Sequence, residues 1–311
     1  MKEKRHWRAA QADCAADLAR AALAVGQLDT LVGIMGAGAV NRLALIETQE
    51  LSWAAGTPVP ADELARDLID ARAGTDLISL DQARWAVRRL EGQGNPRDLL
   101  AFLGLHRSPS GRSDRPDGIA PGLKTRSRGT DFDAAADEFF GSIDALADLH
   151  PIARGAFARR AWELADLSPE EDKVEGAVWA ARLMAAGCKA LLFVPVGRGA
   201  RRILNRGGCP AQRLQDHCRA VLEGATAGAA LLHRVRDWSD RARRMTAGIK
   251  GDNPARVIDV LLTHPQALTA TVEAVAGVSR DTAERLLARM TEMGLVRELT
   301  GTRRFRIWAA A

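Results

Sequence analysis

The stretch Thr269-Ala-Thr-Val-Glu-Ala-Val-Ala276-Gly277-Val278-Ser279-Arg280-Asp-Thr-Ala-Glu-Arg285-Leu-Leu-Ala-Arg289-Met-Thr-Glu-Met293-Gly294 decides how this chain is read. Apolar residues recur at helical spacing up to Ala276. Gly277 breaks the run, and Ser279 is a side chain that caps a new helix by accepting a backbone N–H. In that second helix Ala283, Leu286, Leu287, Met290 and Met293 form one apolar stripe, whereas Arg280, Thr282, Arg285 and Arg289 lie off it. Two helices joined by a short glycine-containing turn, the second with a polar outer face, make a helix-turn-helix. Ser279, Arg280, Thr282, Arg285 and Arg289 are its candidate groove readers.

The flanks extend the pattern. Upstream, Asn253-Pro254 reads as a cap with proline at the first helical position, opening a helix through Val257, Ile258, Leu261 and Leu262 that stops near His264-Pro265. Downstream, Leu295 to Leu299 fits a strand and Thr300-Gly301-Thr302 a turn. Arg303 to Trp308 alternates Arg304 and Arg306 with Phe305 and Ile307. Such a hairpin is a wing: its apolar face completes the core, and Thr302, Arg303, Arg304 and Arg306 are placed to meet backbone phosphate. The same fold also serves protein contact, so a scaffold that docks another protein is the alternative use.

The rest of the chain reads as helical. Of 311 residues 47% are hydrophobic, enough for two or three cores. Helical spacing runs from Ala9 to about Val25 and from Asn41 to Ala55, where Gly56-Thr57-Pro58 ends it. Pro60 opens a further helix, and Ser79 is placed to cap another that continues to Glu91. Helical patterning resumes over Phe132 to Leu149, Pro151 to Leu167, Glu175 to Ala186 and about Gln212 to Arg244. Residues 107–130 hold almost nothing to bury and read as a flexible basic loop. The division expected is 1–106, an N-terminal helical segment; 107–130, the loop; 131–250, a helical core; and 251–308, the winged helix-turn-helix.

The net charge of +5 rests on arginine, whose planar fork pairs with oxyanions, although an arginine-rich, alanine-rich composition also follows from a GC-rich genome. No apolar run is read as reaching the length of a membrane span, which gives the expectation of a cytoplasmic protein without membrane contact. Cys14, Cys188, Cys209 and Cys218 are scattered, without metal spacing. The six histidines show no ligand pattern either, so no metal and no cofactor are expected. Gly197-Arg198-Gly199-Ala200 lacks the lysine and the strand-to-helix setting of a phosphate loop. The basic run from Arg198 to Arg213 reads as a solvated face or as a second contact with nucleic acid or an acidic protein.

Three segments resemble the Fic family. Arg42 to Thr57, with Ser52, Ala55 and Gly56, is similar to its inhibitory helix, in which a glutamate usually precedes the glycine. Leu149-His150-Pro151 to Trp162-Glu163-Leu164 is similar to the helix leading into its catalytic loop. Gly294 to Trp308 looks like the wing found in alphaproteobacterial Fic-related proteins. The resemblance implies a Fic-like helical bundle ahead of the winged helix-turn-helix, in a mainly α fold with a small β-hairpin. The family's loop reads His-Pro-Phe, a variable residue, an acid, then Gly-Asn-Gly-Arg, combining a base, a metal-binding acid and an anion-binding turn. Entered from Trp162-Glu163, the corresponding loop here has Asp166 at the histidine and Val174 at the arginine, with Glu170, Glu171 and Asp172 between. Entered at His150-Pro151, the acid, asparagine and arginine positions hold Arg154, Ala156 and Ala158. Either register lacks the phosphate machinery. Glu170, Glu171 and Asp172 offer cation ligands, but Ser168-Pro169-Glu-Glu is also an ordinary helix start.

The expected function is therefore a DNA-binding transcriptional regulator on a catalytically inactive Fic-like scaffold. Double-stranded DNA is its expected partner, with a homodimer and a protein partner as further expectations. The alternatives are an AMP transferase with an atypical site and a protein-interaction scaffold.

Overall fold

The computed structural model describes residues 2–69, 77–105, 126–204, 207–300 and 306–311. Most of the loop assigned to 107–130 lies outside the described residues, as do Arg206 and the wing positions Thr302, Arg303 and Arg304.

The architecture is mainly helical. In chain order the helices are α1 (Lys2–Asp13), α2 (Ala15–Met35), α3 (Ala37–Ala55), α4 (Ala61–Leu68), α5 (Leu77–Leu90), α6 (Leu99–Leu103) and α7 (Thr130–Asp144). Then come α8 (Pro151–Leu164), α9 (Val174–Met184), α10 (Ala200–Ile203), α11 (Pro210–Thr246), α12 (Asn253–Thr263), α13 (Thr269–Ala276) and α14 (Arg280–Glu292). Three short strands, β1 (Ala267–Leu268), β2 (Val296–Glu298) and β3 (Ile307–Ala310), form an antiparallel sheet in the order β1-β3-β2.

Buried residues divide into two cores. The first joins α1 to α10 with the front of α11, and at its centre Phe139 meets Trp162 and Trp179 edge-on. The second gathers Val257, Ile258, Leu261, Val272, Ala283, Leu287, Met290 and Trp308. At 37 residues α11 spans about 55 Å and enters both cores, through Leu214, Val221 and Leu232 at one end and Trp238 and Ala242 at the other. The second core thus begins before residue 251. The Trp238 indole donates to the Leu295 carbonyl at 2.7 Å, fixing the end of α11 to the segment that leads into the sheet.

A second seam joins α3 to α12. The Arg42 guanidinium is largely buried and donates to the carbonyls of Leu261, Leu262 and His264, the unsatisfied acceptors at the end of α12. Positive charge at a helix C-terminus is also favoured by the macrodipole. Burial lowers the Arg42 pKa to about 10, which leaves it charged at neutral pH. Gly38 makes room for this approach, since a Cβ there would stand 2.6 Å from the Thr263 Cα.

Several local expectations are corrected. Ser79 does not cap: it lies inside α5 and is buried. Asp252, not Asn253, occupies the N-cap of α12 and makes no side-chain cap bond. No helix starts at Ser168; α9 begins at Val174. The sheet gains β1, a strand too short to show alternation. Its central strand buries Ile307, Trp308 and Ala309 in succession instead of alternating, because β3 is paired on both edges and packed into the second core. Finally, α2 is long and apolar enough to cross a membrane by length and composition, with a window of mean hydropathy 1.3. Asp17, Arg20 and Asp29 interrupt its run and hid it from the sequence reading. Its residues Leu18, Ala21, Val25, Leu28 and Val32 are buried in the first core.

Candidate nucleic-acid interface

The C-terminal unit presents α14 at its surface. Gly277 ends α13 with φ +62°, a left-handed conformation that costs glycine nothing, and two residues later Ser279 starts the next helix. The Ser279 hydroxyl accepts from the Thr282 N–H and donates to the Thr282 hydroxyl at 2.9 Å. Both side chains are thereby engaged in holding the start of α14.

Ala283, Leu286, Leu287 and Met290 are buried on the inner face of α14. Arg285 and Arg289 are exposed, one turn apart on the outer face. Arg280 is also exposed but pairs with Glu284 at 3.1 Å, an i,i+4 contact at the start of the helix. Asp281 and Glu292 share the outer surface, so this face is mixed in charge rather than uniformly basic. Among the sheet arginines, Arg306 pairs with Glu298 at 2.6 Å, and its guanidinium lies 4.3 Å over the Trp308 ring. These partners hold Arg306 against the sheet. The structure therefore brings Arg285 and Arg289 together and sets Arg280 and Arg306 in ion pairs.

The segment 165–174 shows what fills the start of α9. Asp166 has φ +48°, the one non-glycine residue with positive φ among the described residues. Leu167 is fully buried. The Ser168 hydroxyl accepts from the Trp162 indole at 2.8 Å and donates to Glu175, which also receives the Arg126 guanidinium. The Asp172 carboxylate accepts the backbone N–H groups of Val174 and Glu175 at 3.0 and 3.2 Å, and its second oxygen accepts from Gln82. Asp172, not Ser168, thus caps α9, because the Ser168 hydroxyl is already held between Trp162 and Glu175. The helix start is occupied by the chain's own carboxylate. Burial, reinforced by the Asp172 charge, raises the Glu175 pKa. Glu170 and Glu171 precede this cap in a turn. Among the described residues, no three His, Cys, Asp or Glu side chains are grouped to hold a metal.

The other register fares differently. His150 is the N-cap of α8: its Nδ1 accepts from the Ile152 N–H at 3.2 Å, while the His150 backbone N–H donates to the Gln11 side-chain oxygen. It sits at the entrance of a helix rather than in a loop at its exit.

A second anion-like arrangement lies elsewhere. The backbone N–H groups of Val196 and Gly197 converge on the Glu47 carboxylate at 2.9 Å, where Gly-Arg-Gly leads through a 3-10 turn into α10. A Cβ on Gly197 would meet Glu47 at 2.8 Å. Burial raises the Glu47 pKa to about 7 against the opposing pull of those N–H donors. The sequence reading passed over Glu47 and over Arg42. For Glu47 the overlooked signal was a charge on the helix face that carries Leu43, Ala44 and Leu51; for Arg42 no pattern marks the carbonyls it serves.

No protein-family model matches the chain, and no curated protein matches it. Among solved structures it is similar to a Fic family protein from Desulfovibrio desulfuricans G20, at 13% identity over 94% of this chain and 96% of that one, with a TM-score of 0.49. At that identity the likeness does not extend to chemistry.

Proposed function

We propose that the chain is a DNA-binding transcriptional regulator whose residues 251–308 act as a winged helix-turn-helix, carried on a Fic-like helical scaffold that does not transfer AMP. The observation that carries the first part is the pair Arg285 and Arg289, exposed one turn apart on α14, the second helix of a glycine-turned pair whose opposite face is buried. A helix presented in this way fits the major groove, and arginine is the side chain best matched to guanine O6 and N7. What supports the second part is that turns with gathered N–H groups already hold carboxylates of the chain, Asp172 at α9, Glu47 at Gly197 and Asp29 at residues 189–191. A nucleotide phosphate would have to displace them. The sequence resemblance to Fic proteins supports the scaffold reading, together with two loop registers neither of which supplies histidine, acid, asparagine and arginine together.

A protein-docking use of the same unit draws on the mixed charge of the α14 face and on the exposed Val275 of α13. The test is a titration of fluorescent genomic fragments, including the region upstream of the protein's own gene, at two salt concentrations. Duplex binding that weakens as salt rises supports the regulator; no binding at low salt transfers the unit to protein contact. In parallel, incubation with labelled ATP and magnesium should leave the protein and a lysate unlabelled. AMP labelling abolished by Glu47→Ala or Asp166→Ala would overturn the inactive-scaffold reading.

A further inference from the structure

The basic run Arg198 to Arg213 is not accounted for by a DNA-binding C-terminus, and the structure folds part of it around a cavity. Between α8, α10 and the first turns of α11 lies a hollow of about 320 Å³. Among the described residues its charged lining consists of Arg159, Arg202, Arg213 and Asp216. Arg159 is only 7% exposed, so its charge acts at the wall of the cavity with little screening by bulk water. It is oriented by Glu163, one turn further along α8, at 2.6 Å. Arg213 lies 3.9 Å from the same carboxylate and donates to the Gly208 carbonyl at 3.1 Å, while Arg202 is held by Glu223 at 2.8 Å. The three cations are thus fixed in place by neighbours.

One further wall group, His217, is titratable. His217 is fully buried against Met184, and its pKa is lowered to about 3 by burial and by the Arg159 charge. It therefore adds a neutral ring and no positive charge of its own. Gln212 and Arg213, in the first turns of the 37-residue α11, also line the cavity, and the N-cap Cys209 makes no side-chain cap bond. The positive end of a long helix adds to the guanidiniums. A volume of this size admits a small ligand.

We infer that this cavity binds a small phosphorylated or phosphate-like dianion, held by Arg159, Arg202 and Arg213. Guanidinium pairs bidentately with phosphate oxygens, and three of them around one hollow suit a tetrahedral dianion better than a monocarboxylate or a cation. The inference concerns the helical body and stands whether or not residues 251–308 bind DNA.

The test is calorimetric titration and thermal denaturation of the full chain with inorganic phosphate, with sodium chloride at matched ionic strength as the reference. Adenosine 5′-monophosphate serves in a second arm to show whether an ester substituent is accommodated. Saturable phosphate binding that chloride does not reproduce is expected, weakened about tenfold or more in Arg213→Gln and in Arg202→Gln. Because Arg159→Gln disturbs a buried pair, the two more accessible variants carry the argument, each checked for an unchanged circular dichroism spectrum. Absence of a phosphate-specific effect in the wild type overturns the inference. So does binding that survives the double variant Arg202→Gln, Arg213→Gln.

Discussion

Two sets of arginines, one in the helical body and one on α14, are used in opposite ways. In the body, Arg42, Arg126 and Arg159 are turned inward, where they meet helix-end carbonyls or carboxylates. On α14, Arg285 and Arg289 point away from the core and are exposed. Composition alone treats all of them as basic character, but only the second kind is available to a large polyanion. The difference teaches that the net charge of +5 is a poor guide to where nucleic acid would bind.

The largest effect expected is on the inward side. Arg42→Ala removes the donors that serve the end of α12 at the seam between the two cores, leaving Leu261, Leu262 and His264 carbonyls without that partner. A loss of about 2–4 kcal/mol in urea unfolding is expected, together with faster amide exchange in α12. A change below about 0.5 kcal/mol would erase the distinction between the two classes of arginine.

The next effect concerns the buried carboxylate at the Gly-Arg-Gly turn. With the Glu47 pKa raised to about 7 from an ordinary 4.5, the folded state holds this proton more tightly than the unfolded chain. Its contribution to stability is therefore fully present below about pH 4.5 and is lost as pH rises through about 7. Comparing wild type with Glu47→Gln from pH 5 to 8 should show a steeper decline in the wild type, differing on the order of 2 kcal/mol across the range. Parallel curves would place Glu47 in water rather than against Val196 and Gly197.

On the outward side stability should hardly move. Arg285→Ala is expected to change unfolding by less than about 0.5 kcal/mol while costing about 1–3 kcal/mol of binding to a preferred duplex. The smallest effect expected is that of Arg280→Ala, which removes an exposed i,i+4 pair worth about 0.2–0.5 kcal/mol in thermal denaturation.

What was legible in the sequence follows from the range of the interactions involved. Helical spacing, the Gly277 stop and the Ser279 cap are set within a few residues, and the helices of the C-terminal unit appear where that local pattern places them. The full length of α11 was nearly legible too, since its Pro210 start and apolar stripe are local. Partners distant in the chain were not. Glu47 meets Val196 and Gly197 across about 150 residues, and Arg42 reaches α12 across about 220. No periodicity encodes such a meeting. Ser168 illustrates a local pattern overruled: Ser-Pro-Glu-Glu is a good helix start, but the hydroxyl is taken by Trp162 and Glu175, and the helix waits for Asp172. For the candidate interface, Arg285 and Arg289 were readable from the stripe they avoid, whereas the pairing of Arg306 with Glu298 needed the sheet register.

The proposal that residues 251–308 bind DNA is tested most directly by one pair of salt titrations. Binding of a preferred and a scrambled duplex would be measured at several salt concentrations for wild type, Arg285→Ala and Arg304→Ala. The account predicts that Arg285→Ala loses affinity mainly for the preferred duplex, by about 1–3 kcal/mol. Arg304→Ala should weaken both duplexes alike and reduce the slope of log Kobs against log salt by roughly one unit. Wild-type binding that does not depend on salt, or that neither substitution alters, would contradict it.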